Sequence, residues 1–293
     1  SATYLSEVAS SRHRGFYSSF QYVTLIGGQL LGSVVLLIMQ QFYTPEQLEA
    51  WGWRVPFLIG AACALYGLYL RRALQETDEF VKASQQRRPN LMAELLRHPR
   101  ELGLVFGLTM GGTTAFYTYT TYMPTFLVNT VKLTREHATE ISLVTLFIFM
   151  CLQPVFGLIS DKVGRRPVLL WFGIAGTLFT APILYGLLAL ADTKDYVSAG
   201  LLAMAALLIV SGYTSINAVV KAELFPAGVR ALGVGLPYAI ANSIFGGTAP
   251  YVALWLKGQG VETYFFWYVT VLIFISLLVY AAMRDTRDYS RIT

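Results

Sequence analysis

Residues 157–170 read GLISDKVGRRPVLL. Gly157, Asp161, Gly164, Arg165 and Arg166 form the pattern G-x3-D-x2-G-R-R, and this short charged stretch is nearly all that joins two long apolar runs. Each position has a mechanical reason. Gly157, lacking a side chain, lets its helix approach a neighbour closely. Asp161 can accept hydrogen bonds at the N-terminus of a nearby helix, where the helix dipole favours a carboxylate. Gly164 permits a tight turn because glycine tolerates positive φ. Arg165 and Arg166 hold the loop on the basic side of a membrane and can pair with carboxylates. The stretch therefore predicts a hairpin of two membrane helices.

The rest of the chain agrees. Its 293 residues are 55% hydrophobic and only 13% charged, with a mean hydropathy of +0.53. Soluble domains average about 25% charged residues. A membrane-crossing helix needs about 20 mostly apolar residues. Eight such runs are present, near 15–40, 54–70, 102–128, 138–159, 167–190, 198–220, 231–256 and 262–283. The second is short and is extended by the interfacial Trp51 and Trp53. If the first residues are cytoplasmic and the chain alternates, 17 of the 22 Lys and Arg fall in cytoplasmic segments, Lys221 among them. That asymmetry orients the chain with both ends in the cytoplasm. It also accounts for the net charge of +5 without a nucleic-acid partner. Cys63 and Cys151 lie inside apolar runs and read as small buried hydrophobes. His13, His98 and His137 fall in polar loops, so no metal constellation is expected. The chain starts without Met or a signal peptide, so a fragment is expected.

The longest loop, about 71–101, holds a short amphipathic pattern, NLMAELLRHP at 90–99, with Asn90 as its expected N-cap. It separates two runs from six. One polar hinge also occurs twice. Glu7 and Arg14 stand seven residues apart, as do Glu223 and Arg230, and each pair leads into a Gly-rich apolar helix. Transporters built of two six-helix halves, related by an axis along the membrane normal, repeat such features. The expected division is then 1–70, the end of an N-terminal half; 71–101, a central cytoplasmic loop; and 102–293, a C-terminal six-helix half. A carboxylate and a guanidinium at the cytoplasmic mouth can pair with each other or with a neighbouring helix in one conformation and release in another. The plainer alternative is a set of interfacial charges.

With the hairpin loop at 157–170, the stretches GFYSSFQYVTLIGGQLLG (15–32), WGWRVPFLIG (51–60), LQETDEF (74–80), FYTYTTYMPTFLVN (116–129) and AELFPAGVRALGVG (222–235) resemble the major facilitator superfamily, in its metabolite:proton symporter branch. The resemblance covers essentially the whole chain. It implies an all-α membrane fold truncated to about eight transmembrane helices, helices 5–12 of twelve. It also implies proton-coupled symport of α-ketoglutarate or a related dicarboxylate by alternating access. The protein would then be a monomer in the bacterial cytoplasmic (inner) membrane, not an enzyme, with no cofactor and a proton gradient as driving force. Its partners would be a small organic anion, protons and the lipid bilayer.

No run carries Lys, Arg, Asp or Glu near its middle; Arg54, Lys221 and Glu223 sit at ends. The fragment is thus expected to supply the polar, uncharged side of a cavity and not to transport alone. Helical spacing nominates Thr113 and Tyr117 of helix 7, with Thr109 and Thr120 on the same face. Helix 5 offers Tyr22 and Gln29, with Gln21 alongside; helix 8 offers Gln153; helix 10 offers Tyr213 and Asn217; helix 11 offers Tyr238 and Asn242. Hydroxyls and amides bind carboxylates without the desolvation cost of a full charge. The competing reading is back-bonding within a helix for Thr and interfacial anchoring for Tyr. The pairs Gly28/Gly32 and Gly107/Gly111, and FGGTAP at 245–250, mark close packing or a bend. Symport of shikimate, citrate or a zwitterionic osmolyte is the alternative. The short tail after Met283 argues against the osmolyte. An integral-membrane transferase is the alternative from another class, and it would need His, Asp or Cys clustered at a membrane face.

Overall fold

A computed structural model describes residues 2–71 and 91–292. Asn90, LQETDEF and most of the 71–101 loop, with Arg72, Lys82, Arg87 and Arg88, lie outside the described residues. Helices run along the chain as α1 (Ala2–Val8), α2 (Arg14–Phe42), α3 (Pro45–Gln47), α4 (Arg54–Arg71), α5 (Leu91–Leu95), α6 (Pro99–Tyr117) and α7 (Met123–Asn129). They continue as α8 (Arg135–Val163), α9 (Arg165–Ala189), α10 (Tyr196–Thr214), α11 (Asn217–Leu224), α12 (Ala227–Ala241), α13 (Ala249–Gly258) and α14 (Thr263–Ala282).

Among the described residues, six segments are long and apolar enough to cross a membrane: Arg14–Met39, Leu48–Leu70, Arg135–Val163, Arg165–Ala189, Tyr196–Leu224 and Thr263–Ala282. The other two expected runs are broken helices. A five-residue π turn, Thr118–Tyr122, joins α6 to α7, and another, Asn242–Gly246, precedes α13. Such wide turns let backbone and side chains leave the regular helical ladder and recur at functional sites. The FGGTAP stretch does interrupt its helix, as its glycines and Pro250 suggest. The Tyr196–Leu224 segment is also longer than the run read at 198–220, and it steps at Ser215 and Ile216 between α10 and α11.

Small residues set the closest contacts. Gly107 and Gly111 press α6 against α14, where a Cβ on Gly107 would meet Val279 and one on Gly111 the backbone of Leu272 and Ile273. Ser276 fills that seam: its Oγ accepts from Gly111 N–H at 2.9 Å and donates to Gly107 C=O at 2.6 Å. One turn on, the Tyr280 hydroxyl donates to Leu108 C=O at 2.9 Å. In the hydrocarbon region, where no water competes, such packing and interhelical bonds replace hydrophobic burial as the force between helices. Gly28 and Gly32, by contrast, face open space, so the close-packing reading does not hold for that pair among the described residues. Cys63 and Cys151 are likewise exposed rather than buried. A membrane helix is apolar on its lipid face too, so hydrophobicity alone does not distinguish inside from outside.

Candidate functional site

The loop at 157–170 anchors one face of the bundle. Asp161, near the end of α8, accepts from the backbone N–H groups of Gly15 at 2.8 Å and Phe16 at 2.9 Å. Those are the first free amides of α2, so the carboxylate satisfies orphan donors and meets the positive end of the helix dipole. Gly157, one turn earlier, makes this approach possible: a Cβ there would sit 2.7 Å from Gly15 C=O. Gly164 adopts φ 103° and ψ 168°, a region almost reserved for glycine. Its positive φ and its tight turn are those expected from the sequence.

Arg165 is 1% exposed. Its guanidinium donates to Ser160 Oγ at 2.8 Å and Asp161 Oδ1 at 2.7 Å, and reaches to 3.6 Å from Glu223 Oε1. Arg166 turns the other way and donates to the carbonyls of Tyr280 and Ala281, which end α14. Asp285, just past α14, accepts from the backbone N–H groups of Arg165 and Arg166 at 3.1 Å each. Thus Asp161 caps α2 and Asp285 caps α9.

One ion pair joins the two copies of the hinge to each other. Glu7 Oε1 receives a hydrogen bond from Arg230 at 2.7 Å, so the first copy's carboxylate holds the second copy's guanidinium. Arg230 also donates to the carbonyls of Phe225 and Arg291. Glu223, 1% exposed, lies between Arg165 and the Thr286 hydroxyl, which donates to Oε2 at 2.5 Å. Arg14 is buried and donates to Ser290 Oγ at 3.5 Å. All nine residues read as gate candidates therefore lie in or beside one charged seam. It joins α1, α2, the α8–α9 loop, α11, α12 and the stretch after α14.

The expected lining residues divide into separate groups. Asn217 and Tyr238 border a cavity of about 320 Å³ between α1, α2, α11 and α12, with Thr3, Gln21 and Lys221. Tyr213 touches this group through Lys221, and Tyr22, buried on α2, stands beside Tyr238 and Asn217. Thr113, Tyr117 and Asn242 form a second group: Thr113 Oγ1 donates to Asn242 Oδ1, and Asn242 Nδ2 donates to the Tyr117 hydroxyl at 3.4 Å. Gly246 leaves room for them, since a Cβ there would lie 2.6 Å from Thr113 Oγ1. Gln29 donates to Thr120 C=O at 3.5 Å. Gln153 is wholly buried and donates to Phe149 C=O of its own helix at 3.0 Å. Neither glutamine borders the 320 Å³ cavity.

The sequence reading misplaces Lys221, which it counts as a cytoplasmic loop cation at the end of a run. It is 1% exposed and stands inside the Tyr196–Leu224 segment. Its Nζ donates to Asn217 Oδ1 at 3.0 Å and the Tyr213 hydroxyl at 3.4 Å, and lies 4.1 Å from the centre of the Tyr238 ring. The signal was present in NAVVKAEL: an Asn four residues before the Lys shares its helix face.

A family model described as Major Facilitator Superfamily matches residues 1–216. The chain is 50% identical over 279 residues to the alpha-ketoglutarate permease of Escherichia coli K12, covering 95% of this chain and 64% of that protein. It is 29% identical to the glycine betaine/proline/ectoine/pipecolic acid transporter OusA of Dickeya dadantii, over 97% of this chain and 58% of that one. The chain thus spans less than two thirds of the length of these curated relatives. Among solved structures, the proton:xylose symporter XylE bound to 6-bromo-6-deoxy-D-glucose superposes with a TM-score of 0.65 at 20% identity. That match covers 99% of this chain and 68% of XylE, and it speaks to the fold alone.

Proposed function

Because the chain belongs to the major facilitator superfamily, a family of membrane transporters, we propose that it is a secondary active transporter. It carries α-ketoglutarate or a related dicarboxylate together with protons by alternating access. The observation that bears most weight is the crossed hinge. Glu7 of one copy holds Arg230 of the other, and Glu223 faces Arg165 of the α8–α9 loop. Buried ion pairs that bridge separate elements are bistable: they hold one packing, and their loss frees the elements to move as bodies. In this reading the seam is a closed cytoplasmic gate, both described ends are cytoplasmic, and the membrane is a bacterial cytoplasmic membrane. Residues 1–70 belong to one moving half and 102–293 to the other, with 71–101 between them. The protein works as a monomer and needs no cofactor beyond the proton gradient.

The substrate class rests on the 50% identity to a protein whose name specifies alpha-ketoglutarate, against 29% to one that names zwitterions. Tyr22, Tyr213, Asn217 and Tyr238 would supply hydroxyl and amide donors to the substrate. Thr113, Tyr117 and Asn242 would sit where α6 and α12 bend at their π turns.

The test is to reconstitute the intact protein in liposomes with an inward proton gradient and follow labelled α-ketoglutarate. The expected result is uptake abolished by a protonophore and competed by four- and five-carbon diacids but not by proline. Uptake of shikimate or betaine instead would retire the dicarboxylate and keep the coupled transporter. No gradient-driven uptake of any of these would remove the symport reading.

A further inference from the structure

Lys221 stands without a carboxylate among the described residues. Among the described residues no Asp or Glu oxygen comes within 4.0 Å of its Nζ, although the seam one turn away pairs Arg165 and Arg230 with acids. Its neighbours are an amide oxygen, a phenol and the face of a second phenol, all neutral. An ammonium buried this way is costly unless an opposite charge joins it. Aromatic faces and amide dipoles soften that cost without cancelling it. The ammonium has three donors, of which two are engaged inside the protein. Lys221 also borders the cavity of about 320 Å³, a volume suited to a small metabolite. Gln21 of α2 borders the same cavity, and its Oε1 is buried without a hydrogen-bond partner. The cavity thus holds a lysine from α11 with no acid beside it among the described residues, and an amide from α2 with an unpartnered oxygen.

We propose that Lys221 is the residue that binds a substrate carboxylate, with Asn217 and Tyr213 orienting its ammonium and the Nε2 of Gln21 donating to the far carboxylate. This rests on the dicarboxylate reading above and adds to it where the anion docks. Charge neutralisation then happens only when substrate arrives, so the bound anion removes a cost the empty protein carries. A ligand whose recognised end is a quaternary ammonium is disfavoured, because the Tyr238 face that would hold it already faces Lys221.

The test uses the intact protein in lipid nanodiscs, with α-ketoglutarate and its monomethyl esters as calorimetric ligands. Lys221→Met is expected to weaken α-ketoglutarate by tenfold or more and to flatten the preference for diacid over ester. Lys221→Arg should keep most of that preference. A merely structural lysine would weaken both ligands alike, which overturns the proposal, as does Lys221→Met binding α-ketoglutarate within twofold of the parent. Wild-type protein that binds shikimate or betaine but no α-ketoglutarate would sink the dicarboxylate reading and this inference with it. If Lys221→Met does not fold, acetylation of the wild-type protein decides. Saturating α-ketoglutarate should slow modification of Lys221 at least fivefold while leaving Lys162 and Lys194 unchanged, and equal labelling with and without it would overturn the assignment.

Discussion

Gly164 and Asp161 show how much a single position carries here. At φ 103° and ψ 168°, Gly164 holds a backbone that residues with a Cβ avoid, and a Cβ would also strike the Asp285 carboxylate that caps α9. Gly164→Ala is therefore expected to lower stability by about 2 kcal/mol, read as a fall in the thermal midpoint in detergent. Asp161 combines two helix-capping bonds with an ion pair to Arg165 in a nearly dry setting, the two side chains being 5% and 1% exposed. Asp161→Ala leaves a buried guanidinium with less compensation and should cost about 3 kcal/mol. Asp161→Asn should cost less, because an amide oxygen still accepts from Gly15 or Phe16. Equal losses for the two variants would mean that the charge, which both remove, governs the site and that the retained amide acceptor contributes nothing. Both residues were legible beforehand, one as a turn that needs glycine and the other as a carboxylate suited to the free amides of a helix end, but that the helix is α2 was not.

Between helices, the decisive geometry is close approach and controlled breakage. The α6–α14 seam is held by Gly107, Gly111, Ser276 and Tyr280 with hydrogen bonds of 2.6–2.9 Å. Gly111→Val would drive a side chain into the backbone of Leu272 and Ile273 and is expected to cost about 3 kcal/mol. Gly28→Val, facing open space on α2, should be near neutral in the same thermal assay. A loss at Gly28 matching that at Gly111 would show that α2 uses its glycines against a neighbour as well. Sequence spacing alone treated these G-x3-G pairs as equals. Their difference comes from which face each helix turns to a partner, and no local pattern records that. The same holds for Cys63 and Cys151, taken as buried and found exposed.

Across the whole molecule, the crossed hinge couples parts of the chain more than 200 residues apart. If the Glu7–Arg230 pair holds the seam shut, weakening it should open the cavity in proportion. In a background with Cys63 and Cys151 replaced by serine, Thr3→Cys, on the cavity wall, reports access to a small thiol reagent. Glu7→Gln is expected to raise its labelling rate roughly fivefold, the equivalent of about 1 kcal/mol, and Glu7→Lys to raise it further. Labelling indifferent to both changes would remove the pair from the gate. The repeat was visible in the sequence as two like hinges. That Glu7 of one hinge pairs with Arg230 of the other was not, because either carboxylate is the right chemistry for either guanidinium and only proximity selects.

Membrane residence, the helical class, the hairpin turn and the existence of two hinges all follow from local physics: about 20 apolar residues suffice to cross a bilayer, and glycine and charge mark the turns. Their partners do not. A lysine one residue past the end of the run read at 198–220 reads as a loop cation by every one-dimensional rule. It becomes an interior group only because α11 continues past the step at Ser215 and Ile216 and packs beside α2 and α12. Burial and ion pairing are properties of neighbours distant in the chain, so the docking cation of the cavity emerges from the packing of the helices rather than from the order of the residues.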